Sequence, residues 1–483
     1  MVPPWVIEET HEVDLEDKRL NDRLLVILAA LGEHPMASIP AACNGYAEMA
    51  AAYRFFENEK VTFERILSPH IAMTRRRIAA QPIALLVQDT TEIDMTRPQQ
   101  EVQGAGPLDG DTRRGALLHL LHAFTPDGTP LGTAHADLLV RSDDKPLNRT
   151  KSRAERQKIP IEEKESHRWL IAFRQAQEEA RRHPQTRIVC IGDSEADIYE
   201  LLVEATAESN GARWIVRACQ DRALQPDAVK VEKASESLRE RLLAAPVRFE
   251  QKISIRGRDA KVSCEVRGRR QARISRAATV VIRAARVTLR PPYRHDRKLP
   301  VVSVNVVYVL EKDVPDGEPA VEWILLTDLP IDTLDQVREA IQYYCGRWMI
   351  EIFFKTLKSG CRVEKRRFEH IDRLLPCLAV YLIVAWRTLY LCRLGRACPE
   401  MTCEAVFEPA EWQSVYQVVH RAPPPRKPPT LQQMIRTIAQ LGGYVNRRRD
   451  DEPGPQTVAL GMQRLHDITL CWKLFGPGAR LTG

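Results

Sequence analysis

"PIALLVQDTTEID", residues 82–94, opens with a continuous apolar run and then meets a carboxylate at Asp89. A strand with one wet face alternates apolar and polar residues, whereas a run without alternation reads as a strand buried on both faces, as in the parallel sheets of α/β proteins. A second stretch has the same form: "RIVCIGDSEADIYELL", residues 187–202, reads as a buried strand that ends in Asp193 and passes into a helix. Between them, "ALLHLLHAFTPDGTPLGTAHADLLV" (116–140) reads as two strands joined at the turn-forming PDG, and "SHRWLIAFRQAQEEARRH" (166–183) as a helix. The order strand, hairpin, helix, strand predicts an α/β core with Asp89 and Asp193 at the ends of two core strands. If those strands are adjacent and parallel, the carboxylates share one rim of the sheet.

The flanking segments differ in character. Residues 1–70 read as a compact module of short helices, including "DLEDKRLNDRLLVILAALGEHP" and the pair of helices in "EMAAAYRFFENEKVTFERILSPHI". From Arg213 the chain turns β-rich and closes with "AVEWILLTDLP" (320–330). Beyond residue 343 it is helical again, with exposed loops expected at "RAPPPRKPPT" and "NRRRDDEPGPQ".

A chain of 483 residues has room for about three domains. The formal charge of +7 is modest, but Gln251–Pro300 is dense in Lys and Arg against only Asp259, Glu265 and Asp296. That distribution suits a polyanionic partner, or equally a solvated face of a β-rich domain. The eleven cysteines include no CxxC pair and no metal-finger spacing, which points to reduced thiols in the cytosol. The acidic N-terminus lacks the basic and apolar regions of an export signal. The apolar run "LLPCLAVYLIVAW" (374–386) is short for a membrane span and reads as a buried helix.

"YYCGRWMIEIFFKTLKSG" (343–360) carries the remaining chemistry. At about 100° per residue, Tyr344, Arg347, Glu351 and Lys358 fall within roughly 60° on one stripe of a helix, beside an apolar sector of Ile350, Phe353, Phe354 and Leu357. Ordinary i,i+4 pairing of Glu351 with Arg347 and Lys355 accounts for part of this stripe. The other reading joins Glu351 to Asp89 and Asp193. Three carboxylates are the donor set that hard divalent cations such as Mg²⁺ require, and two ions about 3.5–4 Å apart can serve phosphoryl transfer. Arg347 as a fork, Lys358 as a point charge and Tyr344 would then hold neighbouring phosphates.

The spacing Tyr, two residues, Arg, three residues, Glu, six residues, Lys is the Y-R-E-K signature, and with it the sequence resembles the insertion-sequence 4 family of DDE transposases, most closely the transposon 5 type. "QDTTEID" and "GDSEADI" look like the two aspartate blocks of that family, and "EEKESHRWL", "AAYRFFEN" and "IAQLGGYV" extend the similarity along nearly the whole chain. The resemblance implies an α/β, ribonuclease-H-like catalytic core over 71–370, a mixed sheet with flanking helices interrupted by a β-rich insertion at about 218–330. It implies a helical DNA-end-binding domain at 1–70 and a helical C-terminal domain at 371–483 for dimerisation. Asp89, Asp193 and Glu351 match the catalytic, metal-binding triad, served by two Mg²⁺ ions or by Mn²⁺ in their place. Trp323 matches a tryptophan that stacks on a flipped base, Arg217 an arginine of that region, and Arg19 and Arg23, beside Lys18, part of a basic DNA-contacting stretch. Leu20 departs from that stretch where a relative can have arginine.

The implied activity is cut-and-paste transposition in the bacterial cytosol. A homodimer on double-stranded terminal inverted repeats would cleave the element ends through a hairpin and join the 3′-hydroxyls to target DNA. Two rivals remain on the sequence alone: a hydrolase of another substrate working with a carboxylate pair, and a catalytically inactive DNA-binding relative.

Overall fold

The computed structural model describes residues 2–43, 45–97, 101–109, 112–143, 152, 155, 158–207, 211–226, 236–255, 257, 273–447 and 450–477. Its strands are β1 (Ile83–Asp94), β2 (Gly106–Pro107), β3 (Arg114–Phe124), β4 (Pro130–Leu139), β5 (Arg187–Gly192), β6 (Arg213–Arg217), β7 (Val247–Ile255), β8 (Arg276–Leu289), β9 (Val302–Lys312) and β10 (Glu322–Thr327). They form one mixed sheet in the order β2-β3-β1-β5-β6-β10-β9-β8-β7, with β4 also paired to β3. β1, β5 and β6 are parallel neighbours, and β3 and β10 flank them antiparallel. The β-rich stretch therefore does not fold apart from the core: β7, β8 and β9 lengthen the same sheet through β10.

The helices are α1 (Pro4–Glu9), α2 (Lys18–Glu33), α3 (Ile39–Ala42), α4 (Tyr46–Phe56), α5 (Phe63–Ala79), α6 (His167–Arg182), α7 (Tyr199–Ala207) and α8 (Leu238–Ala244). After the sheet come α9 (Leu334–Gly346), α10 (Trp348–Lys355), α11 (Ile371–Ala397), α12 (Pro409–His420), α13 (Leu431–Leu441) and α14 (Pro455–Phe475). Successive residues of β1 and β5 point to opposite faces and both faces are apolar, so each needs a cover. Leu86, Cys190 and Trp214 pack under α6 and α7, in one cluster with Trp169, Phe173 and Leu201. Leu85, Val87 and Ile191 pack on the other side with Ile350, Phe353 and the length of α11. A third cluster, with Trp412, Met434 and Val458, holds α12, α13 and α14 together.

α11 is apolar all round, as a helix buried on every side must be. It is long and apolar enough to cross a membrane, yet 83% of its most apolar window is buried inside the protein. The N-terminal helices are pinned against it. Glu9, at the end of α1, accepts from Arg77 and from Nδ1 of His70, while Thr133 N–H donates to Nε2 of the same ring at 3.2 Å. That arrangement makes His70 the neutral tautomer with its proton on Nδ1. The Arg77 guanidinium also lies 4.1 Å over the Trp386 ring of α11. Glu9 is 1% exposed and His70 0%, so a carboxylate has been taken out of water with its partners in place.

Removing one member of such a buried set strands the others. Glu9→Ala is expected to lower unfolding free energy by about 3–5 kcal/mol, read as a shift of the urea midpoint; a loss no larger than that of an exposed acid would contradict the assignment.

His34, His70, His119, His122 and His135 are all pushed below the ordinary value of 6.5, in each case chiefly by burial. These rings stay neutral in the folded chain at pH values where unfolded histidines take up protons. The unfolded chain then binds more protons, so stability is full above about pH 6.5 and declines as the pH falls through that value. A melting temperature that is level from about pH 8 to 7 and drops toward pH 5 is expected; a level profile down to pH 5 would contradict it.

Candidate active site

β1 and β5 pair in parallel from Ile83↔Arg187 to Val87↔Ile191. Continuing that register two residues sets Asp89 beside Asp193. The sequence reading had β1 stop at Asp89, but the strand continues to Asp94, because β3 remains paired to it as far as Asp94↔Gly115. It is β5 that stops: Asp193 turns the chain into a 3₁₀ turn, Ser194–Ala196, its carboxylate accepting from Glu195 N–H at 2.7 Å. Gly192 permits that turn, since a Cβ there would sit 2.5 Å from Cβ of Ala196. Asp89 Oδ1 accepts from its neighbour's amide, Thr90 N–H, also at 2.7 Å.

The third carboxylate arrives on the helix after β10. Thr333 and Gln336 form a capping box that starts α9. Gly346 lets that helix lie on the sheet, because a Cβ at this position would come 2.9 Å from Leu85 Cδ1. The sequence expectation of one continuous helix is corrected here. The turn tightens at Arg347, where Arg347 N–H donates to Tyr344 O and Ile350 N–H to Arg347 O, and after α10 it widens into a π-helical turn at Thr356–Gly360.

Both departures shift the helical phase. Arg347 and Glu351 remain together: Nη2 of Arg347 bonds Glu351 Oε1, and its Nη1 donates to Asp89 Oδ2 at 3.2 Å. Lys358, past the start of the wide turn, instead pairs with Glu364 at 3.4 Å, and Glu364 accepts from Asp94 N–H. The four signature side chains thus do not line one uniform stripe.

Burial first, and then the Asp193 carboxylate, push Asp89 up to about 7, against the pull of Arg347 and of the Thr90 amide. Glu351 adds to the rise. The two neighbouring carboxylates thus act in the same direction as burial, against one guanidinium. Among the described residues no group of three or more His, Cys, Asp or Glu is drawn together closely enough to hold a metal ion. The donor chemistry nevertheless fits a divalent cation, with hard oxygen ligands crowded by mutual repulsion and Arg347 the bridging positive charge.

Tyr344 is buried beside Arg217 and Arg347, and its hydroxyl makes no well-formed hydrogen bond. Its ring meets Trp323 edge-on at 5.4 Å between centroids. Trp323 is only half-buried on β10, and Arg217, at the end of β6, donates to Ser194 Oγ at 3.2 Å. Arg19 and Arg23 lie elsewhere, on α2; Arg19 is exposed and pairs with the helix-capping Asp17.

Glu351 and Trp323 line a cleft of about 1450 Å³ shared with Trp348, Lys355, Arg393 and Arg396. Trp348 is 59% exposed, on a helix whose apolar sector otherwise packs inward. Its signal in the sequence is position alone: at about 100° per residue Trp348 falls outside the apolar sector of Ile350, Phe353, Phe354 and Leu357. Asp197, four residues past Asp193, is taken up elsewhere: it is buried against Arg222. In the basic stretch 251–300, residues 256 and 258–272 lie outside the described residues, and Arg276, Arg294 and Arg297 are neutralised by Glu311, Glu200 and Glu162.

Three family descriptions match the chain in order: "Transposase DNA-binding" over residues 3–61, "Transposase DDE domain" over 172–375 and "Transposase Tn5 dimerisation domain" over 383–473. The DDE match contains Asp193, Trp323 and Glu351, and Asp89 precedes it. Among solved structures, one titled "Cryo-EM structure of piggyBac transposase synaptic complex with hairpin DNA (SNHP)" aligns over 98% of this chain and 79% of that one, at 8% identity and a TM-score of 0.36. With a DNA-binding segment, a DDE domain on a ribonuclease-H-like mixed sheet and a dimerisation segment in succession, the chain belongs to the DDE transposases of the Tn5 type, enzymes that cleave and join DNA strands.

Proposed function

We propose that this transposase works by cut-and-paste transposition, with Asp89, Asp193 and Glu351 as its catalytic triad. The observation that carries the reading is the parallel register that sets Asp89 beside Asp193 and brings Glu351 to them through Arg347. The family uses divalent metal ions, and these carboxylates are the residues that would hold two Mg²⁺, or Mn²⁺ in their place. When bound, the pair of ions would activate the attacking hydroxyl and stabilise the leaving oxygen.

The remaining roles follow from position. Arg347 presents a fork to phosphate oxygens once a cation takes over the neutralisation of Asp89 and Glu351. Lys358 reaches a phosphate by exchanging Glu364 for it, and the Tyr344 hydroxyl has a hydrogen bond free to give. Trp323, half-buried at the mouth of the cleft, offers a face for an unstacked base, which offsets part of the cost of a hairpin intermediate. Arg217 steadies the Ser194 turn beside it. Residues 1–70, with Arg19 and Arg23, would bind the terminal inverted repeats, 71–370 would carry the catalysis, and 371–483 would join two protomers into the synaptic complex. The setting would be the bacterial cytosol.

The purified protein should be incubated with a linear duplex carrying the inverted repeats that flank its own gene, in Mg²⁺ or in EDTA, and the strands resolved on a denaturing gel. Nicks and hairpins at the element boundary are expected with Mg²⁺ only. Asp89→Asn should lower cleavage by more than about a hundredfold and keep end binding within about twofold. Full cleavage by that variant would overturn the triad, and ends bound but uncut by the wild type would favour an inactive DNA-binding relative.

A further inference from the structure

We propose that Arg168 is a positioning residue that clamps together the two strand ends carrying Asp89 and Asp193. The inference rests on reading those carboxylates as the metal-binding pair. Arg168 lies in the first turn of α6, with its side chain 12% exposed. Its Nε donates to Thr90 Oγ1 at 2.9 Å, its Nη1 donates to Glu165 O at 2.8 Å, and its Nη2 lies 3.6 Å from Glu195 Oε2. Thr90 is the residue whose amide orients Asp89 Oδ1, and Glu195 the one whose amide orients Asp193 Oδ1. One guanidinium therefore holds the side chains of both residues that aim the carboxylates.

The clamp is itself braced. Thr90 Oγ1, which accepts from Arg168, also shares a hydrogen bond with Nδ1 of His119 at 2.8 Å. His119 stands on β3, buried edge-on against Trp169, the neighbour of Arg168, at 4.8 Å between centroids. Two adjacent carboxylates repel each other and, without a restraint, tend to splay. A planar fork anchored from behind by the Glu165 carbonyl restrains both ends at once, which lysine, a single point charge, cannot do. Groups that orient metal ligands in this way tune the affinity of the site for its ion.

The test uses the full chain bound to its own element end. Mn²⁺ affinity is measured from the free-ion electron paramagnetic resonance signal, alongside the Mg²⁺ concentration for half-maximal cleavage, gel-shift binding without metal, and the melting temperature. Arg168→Ala is expected to weaken Mn²⁺ binding and raise the Mg²⁺ requirement about tenfold, with cleavage recovering at saturating ion and end binding unchanged. Thr90→Val, a nearly isosteric change, should move both quantities the same way, and Arg168→Lys should recover part of the loss.

Unchanged Mn²⁺ affinity in Arg168→Ala and Thr90→Val would overturn the clamp. So would a cleavage loss that saturating Mg²⁺ does not repair and that comes with a lowered melting temperature, since that marks general packing. Asp89→Asn separates the two claims. If it loses Mn²⁺ while Arg168→Ala does not, the clamp alone fails; if it binds Mn²⁺ as the wild type does, the carboxylate reading fails and the clamp with it.

Discussion

The parallel pairing of β1 with β5 governs this molecule. Five consecutive pairs, Ile83↔Arg187 to Val87↔Ile191, place apolar side chains on both faces of the sheet. Helices must therefore cover both sides. The same register delivers two aspartates to neighbouring positions where the apolar core gives out. Fold and site share one cause, since sliding β5 by one residue would turn its side chains to the wrong faces and carry Asp193 away from Asp89.

Charge is handled by arginine from two directions. In front, Arg347 reaches Asp89 and Glu351 from the junction of α9 and α10, and behind, Arg168 reaches Thr90 and Glu195, whose amides bond the two aspartates. Burying a carboxylate in this way costs free energy, and Arg347 with the Thr90 amide offsets only part of it at Asp89, which burial and the neighbouring carboxylates push up to about 7. A site left partly uncompensated is one that gains on taking up a cation. Elsewhere the compensation is complete: Glu9 is held by both His70 and Arg77, and this buried set fastens the N-terminal helices to the core.

Local pattern announced β1, β3, β4, β5 and α6, because burial on two faces, a PDG turn and helical periodicity are written in consecutive residues. Pairing is not. That β1 runs on past Asp89 to Asp94 depends on β3 as its partner, and that β7 to β9 extend the core sheet depends on β10. Periodicity at 3.6 residues per turn grouped Glu351 with Arg347 correctly, but it has no term for a tight turn at Arg347 or a wide one at Thr356–Gly360, so it misplaced Lys358. Nothing local marks Arg168 either, since its partners Thr90 and Glu195 are distant in sequence. Net charge misled in another way, since Arg276, Arg294 and Arg297 count as cations in composition and are paired in the fold.

Anomalous scattering from Mn²⁺ in crystals of the protein bound to its own terminal repeat asks most directly whether these carboxylates form one metal centre. Two peaks are predicted, about 3.5–4 Å apart and ligated by Asp89, Asp193 and Glu351, with Arg347 released from Asp89. Manganese bound at other residues, or a bound DNA end with no ion at Asp89 and Asp193, would contradict the account.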